Sequence, residues 1–321
     1  MTPAVSIVGM GRFGNTLGAL LDRARISWEP VEATPHTEHY EALAQLVVVA
    51  VPLEGLAQVV RALQPRADQI IVDVCSVKVR AVEALREAMG EGRWVATHPL
   101  FGPSILRSDV VPRVVVCPRP DRPADTSLVE ALYAQLGCTV SLMDAATHDR
   151  VMAESQALSA FVGGALRDAQ LPSSHVAAPP SALPLLQLVN AQNAVAGHLR
   201  DTVLLSNPFA ADVRDRLVDA MRKIIPAAPA DADLPTLRGA IDRVDHQLVA
   251  LLRERADLAT VISQRKAELG RPVQDPEREA AAFAERRAWA MEAGIDPDFV
   301  EAVFASVLPW SRALQERARG G

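Results

Sequence analysis

Aromatic residues are scarce, at 4% of 321 residues, so alanine, leucine and valine must do most of the packing. That favours helices and buried parallel strands over an all-β sandwich. Cysteine is rarer still. Cys75, Cys117 and Cys138 are scattered, with no CxxC pair and no histidine at ligand spacing, so no disulfide framework and no metal site is expected. A reducing cytoplasm is the simplest home. Positive charge is not in excess: the 33 Lys and Arg are outnumbered by 39 Asp and Glu, and the net charge of -6 argues against a nucleic-acid partner. Nor is there a basic leader ahead of an apolar segment, or an apolar run long enough to span a bilayer, so no membrane association is expected.

What is present is enough apolar sequence, 49%, to fill two or three cores. Residues 5–8 form a short apolar run leading into Gly9-Met10-Gly11-Arg12-Phe13-Gly14 and then a helical pattern at Leu17, Leu20 and Leu21. Strand, glycine turn and helix together are the context in which G-x-G-x-x-G binds a dinucleotide, because the glycines let backbone approach a pyrophosphate at the helix N-terminus. A second strand near 26–31 puts Glu32 at its end, placed to accept from an adenosine ribose, with Glu29 as a rival. No arginine follows Glu32 directly, which favours NAD over NADP.

Further apolar strands over 46–51, ending at Pro52, over 69–74 and over 94–97 alternate with helical patterns such as 53–63, the signature of a doubly wound parallel sheet. Strands at 114–117 and 139–142, around a helix near 127–136, complete it. In such sheets ligands lie beyond the carboxyl ends of the strands, so the glycine loop, Pro52, Ser76 and His98 should gather at one edge. His98 stands at the end of its strand in Thr97-His98-Pro99-Leu100-Phe101-Gly102-Pro103, where the two prolines stiffen the loop. A rigid histidine there reads either as an acid or base or as a buried, hydrogen-bonded residue before a turn. Ser76 reads as a group orienting that imidazole or as a cap on the next helix.

Beyond 147–150 the pattern is helical: 151–169, a proline-rich break over 171–184, then 185–205, and 209–224 after Ser206-Asn207-Pro208. A proline- and alanine-rich linker at 226–235 is the clearest boundary. The expected organisation is a dinucleotide-binding domain over 1–146, a helical substrate and dimerisation domain over 147–225, the linker, and a helical domain over 236–321.

In that last domain Leu237, Ile241, Val244, Leu248, Leu251, Leu252, Leu258 and Ile262 recur at helical spacing up to about Leu269. A helix of that length, roughly 50 Å at 1.5 Å per residue, cannot bury its apolar face in so small a domain, so a homodimer is expected. Two shorter helices, near 276–293 and 298–317, follow. Arg255 lies on the apolar stripe and Lys266 only about 20° from it, and cations in such a seam call for an anion. Arg238, Asp275, Arg278, Glu279, Ser311 and Gln315 complete a polar set suited to a small dianion.

Residues 234–318 resemble the all-helical chorismate mutase family, through L-R-x-x-I-D-x-x-D, L-L-x-E-R, the later Lys266 and R-P-V-x-D-x-x-R-E. The resemblance implies rearrangement of chorismate to prephenate without covalent catalysis. Arg255 and Arg278, with Arg238 from a partner chain, would hold the carboxylates; Lys266 and Gln315 would meet the ether oxygen, and Glu279 the ring hydroxyl. The first 225 or so residues resemble the prephenate dehydrogenase family, through the glycine motif, D-V-C-S-V-K at 73–78, H-P-L-F-G-P at 98–103 and H-D-R-V-M-A-E-S-Q-A-L at 148–158. That resemblance implies NAD-dependent oxidative decarboxylation with His98 as base and Gln156 in the substrate cleft. Two departures stand out. The family's second active-site histidine is replaced by Ala160, and its carboxylate-binding arginine is missing near Ala191, leaving Arg107, Arg113, Arg150 and Arg200 as candidates. Three situations fit: prephenate with rewired contacts, a 4-amino-4-deoxy analogue, or an inactive dehydrogenase-like module beside a working mutase.

Overall fold

The computed structural model describes residues 4–32, 40–171, 179–195, 197–224, 229, 231–272 and 275–320. It divides into two compact units, Met1–Lys223 and Ile224–Gly321.

The first unit is built on seven strands: β1 (Val5–Val8), β2 (Trp28–Val31), β3 (Leu46–Val49), β4 (Ile70–Asp73), β5 (Trp94–Pro99), β6 (Arg113–Cys117) and β7 (Thr139–Leu142). They form one sheet in the order β2-β1-β3-β4-β5-β6-β7. The helices α1 (Arg12–Arg23), α2 (Leu53–Leu63), α3 (Lys78–Met89) and α4 (Pro123–Gln135) cover its faces. Strand alternation divides the side chains between two cores. Val48 of β3 packs with Leu17, Leu21, Val129 and Tyr133 on one side. Val47 and Val49 pack with Leu56, Val60, Leu85 and Trp94 on the other. β5 and β6 pair antiparallel, with His98 opposite Val115, unlike the parallel pairings elsewhere. The physical reason is the connection: only a short 3-10 helix, Pro103–Arg107, lies between them, and a parallel return needs a full crossover. β5 also runs two residues beyond the apolar pattern, so His98 is held in the ladder itself.

The helical part begins earlier than the pattern suggests. Asp144 caps α5 (Ala145–Met152) by accepting from Ala146 N at 3.0 Å and Thr147 N at 2.9 Å. A π-helical turn, Ala153–Ala157, joins it to α6 (Leu158–Asp168). The helix expected over 185–205 is interrupted: α7 (Leu183–Asn193) ends before α8 (Gly197–Asp201), which runs into a second π turn, Thr202–Ser206. Gly163 lets α6 and α7 approach closely, since a Cβ there would lie 2.5 Å from Gln192 Cγ. α9 (Ala210–Ile224) closes the unit. Half of the proline-rich break, 172–178, lies outside the described residues, as do residue 225 and residues 226–228 and 230 of the linker.

The second unit is three helices: α10 (Leu234–Glu268), α11 (Pro276–Glu292) and α12 (Pro297–Gly320). α10 has 35 residues; Asp233 caps its start by accepting from Thr236 N at 2.9 Å, and Gly270, at φ 62°, follows its end. α12 packs against both α10 and α11. Much of the apolar stripe on α10 stays exposed, Leu248 by 53% and Ile262 by 48%. Among the described residues no helix is long and apolar enough to cross a membrane.

Candidate functional site

In the first unit the chemistry converges on His98. Its side chain is buried, and its Nδ1 lies 2.9 Å from Nε2 of His148, ring edge to ring face. His148 Nδ1 lies 2.8 Å from Asp149 Oδ1. The carboxylate of Asp149 accepts from Lys78 N and Val79 N, both at 2.8 Å, and so caps α3 from a distant helix. With His148 as a neutral imidazole, the bonding sets the tautomers. Asp149 accepts from His148 Nδ1–H; His148 Nε2 therefore accepts from His98 Nδ1–H; and the lone pair of His98 is left on Nε2. Burial, reinforced by His148 and Lys78, holds the His98 pKa well below the usual imidazole value, so the ring is neutral.

Beneath this relay lies a second, fully buried set. Lys78 Nζ meets Asp73 Oδ2 at 2.5 Å and also donates to the carbonyl of Thr97. Asp73 Oδ1 accepts from Cys75 N at 2.7 Å, and Thr97 Oγ1 donates to Asp73 O at 2.7 Å. The carboxyl ends of β4 and β5 are thereby pinned together directly before His98. Asn207 on the far helices adds a bond from Nδ2 to Asp149 O at 2.8 Å.

Ser76 is half-buried and makes no hydrogen bond to His98 among the described residues. It is not the cap of α3 either: the N-cap position is Val77, and Asp149 accepts from the N–H groups of Lys78 and Val79. The orienting role expected of Ser76 toward the imidazole thus falls to His148, which sequence reasoning passed over. The only signal was the histidine of the H-D-R run, and nothing local ties it to a residue 50 positions earlier. Gln156 sits in the first π turn with its Oε1 buried and unpartnered. Ala160 is buried and contributes no polar group of its own. Of the alternative arginines, Arg150 stacks on Phe209 at 4.7 Å and Arg200 lies 3.9 Å from Asp201. Arg107 ends the 3-10 helix and Arg113 begins β6.

The glycine loop fits a dinucleotide. Gly9 adopts φ +94°, and a Cβ there would meet Ala50 O at 2.7 Å; one on Gly14 would meet Gly9 O at 2.2 Å. Gly11, the N-cap of α1, faces open space and offers no side chain to close the helix N-terminus. Phe13 touches Phe101, ring centroids 5.8 Å apart, which joins this loop to the one after His98. Arg12 donates to Ala194 O at 3.3 Å. Pro52 begins α2 beside the loop, at the end of β3. Glu29 is engaged within the sheet by Ser6 Oγ and Leu43 N, whereas Glu32 is exposed just past β2.

In the second unit Arg255 donates to Ser311 Oγ, joining α10 to α12. Lys266 and Asp275 line one cavity with Ile262 and Pro272. Asp275 also caps α11, accepting from Arg278 N at 3.0 Å. Arg278 reaches Glu285 at 3.3 Å, and Glu279 pairs with Arg312 at 3.7 Å. Gln315 accepts at its carbonyl from Ser263 Oγ at 2.9 Å. Arg238 is exposed on α10, seventeen residues and about 25 Å along the helix from Arg255, so the chain does not bring these two together. Arg286 and Arg312, both beside this cluster, were not singled out by the sequence pattern. Among the described residues no His, Cys, Asp and Glu group could hold a metal ion.

The fold and these sites define a sheet domain of the dinucleotide-binding type, followed by an arginine-rich helical domain. Residues 237–316 match the family model for chorismate mutase type II, and residues 32–136 that for the prephenate dehydrogenase nucleotide-binding domain. The isochorismate pyruvate lyase of Pseudomonas aeruginosa is 42% identical over 82 residues, which are 26% of this chain and 80% of that protein. The T-protein of Enterobacter agglomerans is 40% identical over 77 residues, 24% of this chain but only 21% of its own length. The solved prephenate dehydrogenase of A. aeolicus matches in fold with a TM-score of 0.54 at 18% identity, covering 79% of this chain and 97% of that one. The chain belongs, through its C-terminal unit, to the type II chorismate mutase family; ahead of that unit, residues 32–136 are similar to the nucleotide-binding domain of prephenate dehydrogenase.

Proposed function

We propose that the chain rearranges chorismate to prephenate in its second unit and oxidises and decarboxylates prephenate in its first. The observation that carries the dehydrogenase half is the relay from Asp149 through His148 to His98, which leaves one neutral nitrogen as base. Gly9, Gly11, Arg12, Phe13, Gly14 and Pro52, with Glu32 for the ribose, would hold NAD, which would serve as the hydride acceptor. His98 Nε2 takes the proton of the C4 hydroxyl as hydride leaves C4, and the ring carboxylate departs as CO₂ while the ring becomes aromatic. His148 and Asp149 then share the charge on the imidazolium. Ser76 and Gln156 contribute polar contacts to the substrate.

In the mutase half Arg255 and Arg278, with Arg238 from a second chain, bind the carboxylates. Asp275 and Ser311 position them, Lys266 and Gln315 stabilise charge on the breaking ether bond, and Glu279 receives the ring hydroxyl. This is electrostatic preorganisation together with selection of a compact conformer. The exposed leucine stripe of α10 and the 25 Å separation of Arg238 from Arg255 support a homodimer as the working form.

The deciding experiment is a spectrophotometric NADH assay with prephenate and with 4-amino-4-deoxyprephenate. NADH from prephenate that disappears in His98→Asn supports the reading; a faster reaction with the amine reassigns the C4 substituent. If neither compound yields NADH while nucleotide binding and mutase turnover persist, the first unit is a binding or dimerising module.

A further inference from the structure

We propose that Arg286 is an additional substrate contact in the second unit, forming with Arg255 a two-guanidinium clamp for one carboxylate of the bound dianion. The proposal rests on the mutase reading above and extends it to a residue outside the matched polar set.

Arg286 is on α11, seven residues after Glu279, so the two share a face about 10 Å apart along the helix. Its Nε and Nη1 are shut off from solvent and have no hydrogen-bond partner. The guanidinium lies over the ring of Phe304 on α12, 4.6 Å from its centroid. That contact seats the planar group without neutralising it or occupying its N–H donors. Arg255 is similar: it donates to Ser311 Oγ, a neutral group whose own hydrogen goes to Val307 O at 3.0 Å.

The neighbouring arginines are each matched by a carboxylate. Arg278 has Glu285 at 3.3 Å, Arg312 has Glu279 at 3.7 Å, and Arg287 has Asp298 at 2.7 Å and Glu301 at 2.5 Å. Burial followed by Arg286 pushes the pKa of Arg255 down, and burial followed by Arg278 pushes that of Arg286 down, with Glu285 opposing. Arg286 keeps two shut-off N–H donors without an acceptor while Arg255 donates to a neutral hydroxyl, an arrangement that is costly until an anion arrives. A carboxylate is the fitting occupant, because planar forks meet its two oxygens with paired hydrogen bonds. A substrate carboxylate bound there would gain affinity by relieving this cost.

The test is steady-state mutase kinetics on the full chain with chorismate, comparing wild type with Arg286→Met, Arg286→Gln and Arg286→Lys. Removing the charge should lower kcat/KM at least ten-fold, chiefly by raising KM, and flatten the dependence of KM on salt; lysine should recover part of the loss. Arg286→Gln gives the same reading if the methionine variant does not fold. An unchanged KM in a folded neutral variant overturns the proposal. So does a loss traced by sedimentation to dissociated dimers and restored at high protein concentration, because Arg286 would then be meeting the second chain. Absence of chorismate turnover in wild type sinks the mutase reading and this inference with it, whereas normal wild-type turnover with an indifferent Arg286 sinks the inference alone.

Discussion

His98 takes its chemical character from a neighbour that the chain supplies 50 residues later. Replacing His148 with Phe removes the acceptor for His98 Nδ1–H and frees the imidazole to adopt the wrong tautomer. Dehydrogenase kcat should fall on the order of 10² to 10⁴-fold while NAD binding, followed by fluorescence titration, stays within a few-fold. Acid should also weaken the first unit. His98 is neutral in the fold at pH values where the unfolded chain protonates it, so the unfolded state binds more protons and stability drops as pH falls below about 6.5. Thermal unfolding from pH 7.5 to 5.5 should show this slope, and His98→Asn should reduce it; an identical slope in the variant would refute the assignment. At this scale the sequence made His98, the glycines and most of the arginines legible, because their motifs are local. His148, Lys78 and Arg286 were not, since each acquires meaning only from groups that folding brings beside it.

At the scale of elements, periodicity located nearly every strand and helix of the sheet, because two-residue and 3.6-residue repeats leave direct marks in the apolar pattern. It could not show the antiparallel turn of β5 into β6, which depends on what the 13-residue connection lacks. Nor could it show the π turns at Ala153–Ala157, a change of winding inside a continuous helix, and at Thr202–Ser206, which ends one. Such turns concentrate at functional positions, and one of these carries Gln156. Two substitutions probe the elements that position the site. Gly14→Ala drives a Cβ into the carbonyl of Gly9, 2.2 Å away, and should abolish NAD binding by calorimetry while circular dichroism stays near wild type. Asp149→Ala strips α3 of its cap and leaves two N–H groups buried, at a cost of about 1–3 kcal/mol measurable as a lower urea midpoint.

At the scale of the molecule the linker composition and the overlong helix point to a separate helical domain; in the structure the second compact unit begins at Ile224. A second chain is called for only by the apolar residues that stand exposed on α10. If that need is met by a second copy, mutase specific activity should decline on dilution as dimers separate, whereas dehydrogenase activity per chain need not follow the same curve. Parallel assays over a dilution series check this; mutase activity independent of concentration down to the monomer by light scattering would contradict it.

The 25 Å of α10 between Arg238 and Arg255 has a genetic consequence. If two copies pair antiparallel along α10, each site takes one of these arginines from each chain. A chain with Arg238→Ala and a chain with Arg255→Ala would be inactive alone, yet their mixed dimer would gather both lesions into one site and leave the other intact. Co-expression of the two defective alleles should therefore restore mutase activity, up to about a quarter of the wild-type level when chains pair at random. Two alleles both altered at Arg255 should restore none.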